Sequence, residues 1–519
     1  MAKGKMKPAA KLILLVLIMG GIFGVVYYLT GGQVGSDTNL PSAGGKEVVK
    51  KKKKSRRSKG DVLNVAVVTW PGYAGGQYFN KGFNSSDASM YTVDYGLEVN
   101  FKVMDNVAAS RAAFLNGDID ILWATVDALP TEFSEGGTMA ASQPKIFMQS
   151  DWSRGGDAVV AKRTIKTVAD LKGKTIAVAE MTPSHSFLIW LLSAGGLTME
   201  DVEIKKVEDA VDAANVFKSG AVDAAVVWSP DDADCIDAVP GSRILESTEH
   251  AEFIIADVFI ATQETINDKG PLIQNFVEGF MKGAAEINND ALAKKEATII
   301  LSKGLKLPVE FFENTIDKVR LCTYGDNMNF FGLDRTYRGV KGEDLYRKMS
   351  NIYSRLGYSE NPLSWREIVY PDFIQNLALT GAIHEAEKPR TFTVATAETK
   401  KKAAFSSKQV TLTFDTGKYF LTEDAKYVID TEFADEAKMF SNTRIRVEGN
   451  SDNVGNKAFN ISLSKKRAKA AADYLVNTHG INRNRIIVIG NGPSNPVASN
   501  STAAGKAQNR RTDFKLVAE

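Results

Sequence analysis

Gly449-Asn450-Ser451-Asp452-Asn453-Val454-Gly455 interrupts the alternation Ile445-Arg446-Val447 and precedes Asn460, Leu463-Ser464, Arg467-Ala468, Tyr474-Leu475 and Gly480-Ile481. That order reads as strand, loop, helix. From Ser462 to Asn477 the residues are good helix formers with apolar Leu463, Ala468, Ala471, Ala472, Leu475 and Val476, which predicts a helix. Asn460 stands about two turns before Arg467, so an amide at the helix mouth and a guanidinium share one face. Asp452 lies in the loop ahead of them. A carboxylate and a guanidinium converging there clamp a zwitterion, Asp452 taking its ammonium and Arg467 its carboxylate. The plainer alternative is a surface ion pair between the two, worth little.

Farther along, Asn509-Arg510-Arg511 closes the pattern. Together these positions resemble the peptidoglycan-binding domain of the OmpA and MotB family, with its Thr-Asp-x-x-Gly loop, Asn-x-x-Leu-Ser-x-x-Arg-Ala helix and closing Asn-Arg-Arg. The resemblance extends upstream through Leu412-Thr413-Phe414-Asp415-Thr416-Gly417 and Leu421-Thr422-Glu423-Asp424-Ala425, covering about 408–519. It implies an α+β domain that holds the diaminopimelate of a wall peptide through Ser451, Asp452, Asn460, Arg467, Arg510 and Arg511. Asn450 and Ser451 depart from the family's His and Thr; Ser451 keeps a hydroxyl. Of Arg510 and Arg511, one reaches the ligand and the other supports the fold, and the sequence leaves open which.

A chain of 519 residues with 44% hydrophobic content is long enough for several packed domains. Its net charge of +2 hides an asymmetry: residues 1–60 hold 13 Lys and Arg against Asp37 and Glu47, so everything after them is net acidic. No nucleic-acid partner is expected from such a surface. Cys235 and Cys322 are the only cysteines, which excludes a disulfide framework and a Cys-rich metal site and leaves one bridge open.

Leu12 to Leu29 carries no charge and follows Lys3, Lys5, Lys7 and Lys11. Its length and the lack of an Ala-x-Ala-like site favour a retained inner-membrane helix over a cleaved signal peptide. Positive-inside bias then puts 1–11 in the cytoplasm and the bulk in the periplasm. Residues 30–60, with the basic run Lys50 to Lys54, read as a flexible linker that is either a solvated spacer or a patch for anionic lipid or wall polymer. No acid stands inside the apolar stretch, which disfavours a MotB-like stator.

Between 61 and 385, short β-type runs alternate with helical segments. Leu63 to Val68, Val99 to Met104, Ile119 to Leu122, Thr175 to Ala179 and Asp223 to Val227 are strand-like; Val107 to Asn116, Ser186 to Ala194 and Leu272 to Asn288 are helical. Such alternation predicts parallel sheets covered by helices. Trp70, Trp123, Trp152 and Trp228 each follow a β-run almost at once, the position from which side chains line a crevice beyond strand ends. Core packing is the alternative for any single ring.

Asn116-Gly117-Asp118-Ile119-Asp120, Val168-Ala169-Asp170-Leu171-Lys172-Gly173-Lys174-Thr175, and Phe217-Lys218-Ser219-Gly220-Ala221-Val222-Asp223-Ala224 resemble the periplasmic binding proteins that serve nitrate, taurine and sulfonate importers. The fold class implied is α/β: a two-lobed periplasmic-binding-protein fold of type II, then a linker at 386–407 and the smaller α+β domain, all preceded by one transmembrane helix. Candidate solute contacts are the four Trp residues, Thr125, Asp127, Ser153, Arg154, Asp157, Thr182, Ser184, His185, Ser186 and Asp231. Hydroxyls and free N–H groups at 182–186 suit an anion, whereas rings with Asp127, Asp157 or Asp231 suit a cationic amine; ligand charge stays open. His185, His250, His384 and His479 lack metal spacing, and no nucleophile motif occurs, so neither an enzyme, a metal nor a cofactor is expected. The expected partners are peptidoglycan, the inner membrane and a small solute. An ABC permease and a homo-oligomer remain open, as does an envelope scaffold in which the binding fold holds no solute.

Overall fold

Continuous apolar runs in this chain become the central strands of two separate sheets. In the computed structural model, which describes residues 62–412, 414 and 417–519, the strands are β1 (Val62–Val67), β2 (Glu98–Val103), β3 (Ile121–Thr125), β4 (Pro144–Ser153), β5 (Asp157–Ala161), β6 (Thr175–Ala179), β7 (Glu203–Val207), β8 (Ala224–Trp228), β9 (Arg243–Ser247), β10 (Ala256–Thr262), β11 (Val319–Leu321), β12 (Ser406–Val410), β13 (Thr443–Asn450), β14 (Ile486–Gly492) and β15 (Thr512–Ala518). β3 and β5 are buried along their whole length, as strands covered on both faces must be. The proposed anchor at 12–29, its flanks 1–11 and 30–60, and Thr413, Asp415 and Thr416 lie outside the described residues. Among the described residues no helix is long and apolar enough to cross a membrane.

The first sheet has the order β11-β4-β10-β3-β1-β2 and the second β7-β6-β8-β5-β9. Each holds three parallel strands, β2-β1-β3 and β7-β6-β8, extended through antiparallel pairings: β10, β4 and β11 beyond β3, and β5 and β9 beyond β8. The same order in both sheets marks two lobes of one plan. The chain crosses between them twice, at Arg154-Gly155-Gly156 from β4 to β5 and at 248–255 from β9 back to β10. Gly155 takes φ +113°, and its N–H donates to Thr248 Oγ1 at 2.8 Å, so the two crossings are tied together. The strand-like and helical stretches read from the sequence sit within an element or two residues of one, except that the helix Gln263–Asn289 starts earlier and is bent at Lys269, ahead of Pro271.

The third sheet, β12-β15-β13-β14, pairs β13 and β14 in parallel and β15 antiparallel to β13 and β12. Across it lies the helix Lys457–His479, longer than the predicted 462–477, capped at its start by Asn456 and ended by Gly480 at φ +71°. Ala468, Ala471, Ala472 and Leu475 form its buried stripe. Close approach needs glycine in the strands beneath: a Cβ on Gly449 would fall 2.1 Å from the Ser464 carbonyl oxygen, and one on Gly490 2.5 Å from Lys465 Cβ.

This C-terminal part rests on the second lobe, the second crossing and the helix Gly342–Leu356. Val168 N–H donates to the Phe405 carbonyl (2.9 Å), Ser406 Oγ to the Ala194 carbonyl, and Lys348 pairs with Asp435 (2.8 Å). Glu252 of the crossing accepts from Arg390 (2.5 Å) and Ser441 and lies 3.6 Å from Arg154. Cys235 and Cys322 are both buried and unpaired.

Candidate functional site

The loop after β13 carries the first site. Asp452 Oδ2 accepts from Arg510 Nη1 at 2.7 Å, while its Oδ1 accepts from the Val454 amide at 3.0 Å. Ser451 Oγ donates to the Asp452 carbonyl at 2.8 Å. Asn460 is buried and donates to the Val454 carbonyl (2.9 Å), so it shapes the loop from behind. Arg467 lies with its guanidinium 4.8 Å from the centre of the Phe414 ring and its Nε on the Lys418 carbonyl (3.0 Å). Burial and the neighbouring Arg510 lower its pKa, and Asp452 opposes the shift, which places all three charges in one field.

The two closing arginines divide their work. Arg511 is buried and forks onto Asp513, Nε to Oδ1 at 2.8 Å and Nη2 to Oδ2 at 3.0 Å. Arg510 is half exposed and faces Asp452. Asn509 is fully buried, accepting from the amides of Val497 and Ala498. Asn450, in the position of the family's His, is buried too, donating to Asp513 (3.1 Å) and accepting from Asn491 (3.0 Å).

Between the lobes lies the second site, and the lobes are closed over it. A Cβ on Gly156 would stand 2.0 Å from the Trp70 ring, Ser186 Oγ meets Tyr353 Oη at 2.9 Å, and Lys318 reaches Ser229 at 2.6 Å. Trp228 donates to Ser184 (3.0 Å) and is the most exposed ring of the group. Thr125 and Trp123 share a face of β3, since Thr125 lies opposite Asp257 and Trp123 opposite Phe259. Asp157 accepts from Ser153 (2.7 Å), and burial raises its pKa to about 7. His185 accepts from the Met181 amide through Nδ1, and burial lowers its pKa to about 4, leaving it neutral.

Other predicted contacts do not converge there. Trp152 packs edge-on against Phe253 and Phe330 in an aromatic cluster. Thr182 donates back to the Ala179 carbonyl (2.7 Å), and Asp231 opens the short helix Asp231–Ala238. Arg154 is engaged by Glu387 at 2.8 Å. Asp151 and Asp257 were not singled out in the sequence, yet both are buried in this crevice, facing each other across β4 and β10. Their signal is an acid inside an apolar strand, plainest in Ile255-Ala256-Asp257-Val258-Phe259.

Residues 413–510 match the OmpA family model. The chain ends in an OmpA-family domain. Over 90 residues this domain is 43% identical to the peptidoglycan-binding protein ArfA of Mycobacterium tuberculosis, covering 17% of this chain and 27% of that protein. The chain spans between 27% and 53% of the first curated relatives of the OmpA-family domain. Residues 155–291 match the model described as NMT1/THI5 like. A Brucella abortus protein named as a binding protein is 26% identical over 287 residues, 54% of this chain and 82% of that one. The crystal structure of the periplasmic aliphatic sulphonate binding protein SsuA from Escherichia coli aligns with a TM-score of 0.47 at 17% identity, covering 61% of this chain and all of that one. The chain thus combines two α/β lobes of one plan with a following OmpA-family domain.

Proposed function

We propose that this chain is a cell-envelope binding protein, not an enzyme, that grips peptidoglycan through 408–519 and holds a small solute between the lobes of 61–385. In this reading the segment 12–29 tethers it to the inner membrane, the bulk lies in the periplasm, and an ABC permease receives the solute. The observation that carries the wall-binding part is the exposed Asp452 and Arg510 pair with Arg467 beside it. An exposed pair of this kind contributes little to stability, about 0–1 kcal/mol. A zwitterion such as diaminopimelate exchanges partners with it, ammonium to Asp452 and carboxylate to the guanidinium side, with no net loss of ionic contacts. The buried Asn460, Asn509 and Arg511 hold that geometry without touching ligand.

Sedimentation with purified sacculi tests this, using a chain from which Lys50 to Lys54 has been deleted so that the basic run cannot bind the polymer. Asp452→Ala combined with Arg510→Ala should leave the protein in the supernatant. Continued co-sedimentation of that variant would remove the wall-binding site from these residues.

A further inference from the structure

Four buried carboxyl groups border the closed crevice from four stretches of chain: Asp127 just past β3, Asp151 near the end of β4, Asp157 at the start of β5 and Asp257 at the start of β10. Their exposures are 0%, 0%, 5% and 6%. Strand register sets Asp257 between Thr125 and Asp151, and Asp157 adds its field to the other three. Among the described residues none of the four forms an ion pair with Lys or Arg. The guanidinium nearest β3, Arg111, is held by both oxygens of Glu132 at 2.9 Å, and Arg154 by Glu387 and Glu252.

Polar atoms in the same region are left without partners. Both oxygens of Asp127 and Oδ1 of Asp151 are acceptors without a hydrogen-bond partner, and beyond the acids the Trp123 Nε1 and His185 Nε2 donors are also unpartnered, each on a side chain more than nine-tenths buried. Ser186 Oγ lies 2.9 Å from Tyr353 Oη and is the one side-chain hydroxyl that bears on Asp127, holding its pKa down against burial. Buried polar groups without partners are costly, and buried like charges more so, unless something supplies donors and positive charge. Aromatic rings border the carboxylates: Trp70 against Gly156 and beside Asp151, and Tyr73 donating to Asp257 at 2.5 Å.

We propose that the crevice takes an organic cation of the alkylammonium class, its N–H groups reaching Asp127, Asp151 and Asp257 and its carbon body lying against Trp70 and Tyr73. The proposal rests on the solute-binding reading above and gives that solute its charge. An ammonium brings three donors and one positive charge, which suits acceptor oxygens and ring faces together. An anion would meet four carboxyl groups with the neighbouring guanidiniums already engaged. Among the described residues no three His, Cys, Asp or Glu side chains group so as to hold a metal ion.

Calorimetry on the full chain at pH 8 compares 1,4-diaminobutane, butylammonium and L-arginine with nitrate, methanesulfonate and calcium chloride. At least one of the three organic cations should bind, and Asp127→Asn and Asp257→Asn, which keep side-chain shape, should each weaken it by about ten-fold or more while sacculus sedimentation stays unchanged. Binding of nitrate, methanesulfonate or calcium in place of the organic cations would overturn the assignment and leave the solute-binding reading standing. Silence of all six probes would overturn both.

Discussion

Two adjacent arginines show how burial decides the worth of a charge. Arg511 is sealed against Asp513, whose own pKa is raised by burial despite that partner. Arg511→Ala leaves a buried carboxylate uncompensated and should cost about 3–5 kcal/mol, seen as a lower denaturation midpoint for the OmpA-family domain. Arg510→Ala removes a half-exposed group; its midpoint should move by about 1 kcal/mol or less, yet sacculus binding should fall. In the crevice the buried acids set a pH dependence with a definite sign. Burial, followed by mutual repulsion, raises Asp127 to about 8 and Asp257 to about 7, from 3.8. The folded state thus keeps protons that the unfolded chain releases near pH 4. Their contribution to stability is complete below that point and is lost as pH rises through 7 to 8. The melting temperature of the two-lobed unit should fall between pH 5 and 9, and Asp127→Asn should flatten the slope; an unchanged slope would mean that Asp127 is not the titrating group.

At the crossings, backbone and ring geometry govern opening. Trp70 lies so close to Gly156 that Gly156→Ala forces the indole aside, an overpacking cost of about 1–3 kcal/mol borne only by the closed form. That variant should show red-shifted Trp emission and a larger radius of gyration by small-angle scattering. Much of this element-level layout was legible beforehand, because parallel strands buried on both faces announce themselves as apolar runs such as Thr175 to Ala179 and Ala224 to Val227. The loop-helix pair around Asp452 and Arg467 was legible for a different reason: fixed spacing on a helix fixes a face. What stayed hidden depends on partners far apart in the chain. Nothing local distinguishes Arg510 from Arg511 until β15 brings Asp513 beside one of them, and nothing distinguishes Trp152 from Trp70 until Phe253 and Phe330 enclose the former.

Across the whole molecule, the stretch 386–407 reads in sequence as a linker, and in the fold it is clamped at several points. Glu387 holds Arg154 of the first crossing, Arg390 holds Glu252 of the second, and Thr393 accepts from Arg444 of β13 at 3.0 Å. Glu252 is the common element: buried, it receives Arg390 and Ser441 and lies beside Arg154, so crossing, connector and OmpA-family domain share one carboxylate. Replacing it by Gln removes the charge while keeping the shape, so Arg390 loses its counter-ion while Arg154 keeps Glu387. The connector of Glu252→Gln should then open to protease several-fold faster than that of the parent chain, with cleavage mapped to 386–407, while the lobes themselves resist. Equal cleavage rates would show that Ser406 and the β12 contacts to the second lobe, with Lys348 of the helix Gly342–Leu356, hold the OmpA-family domain in place without help from the crossing.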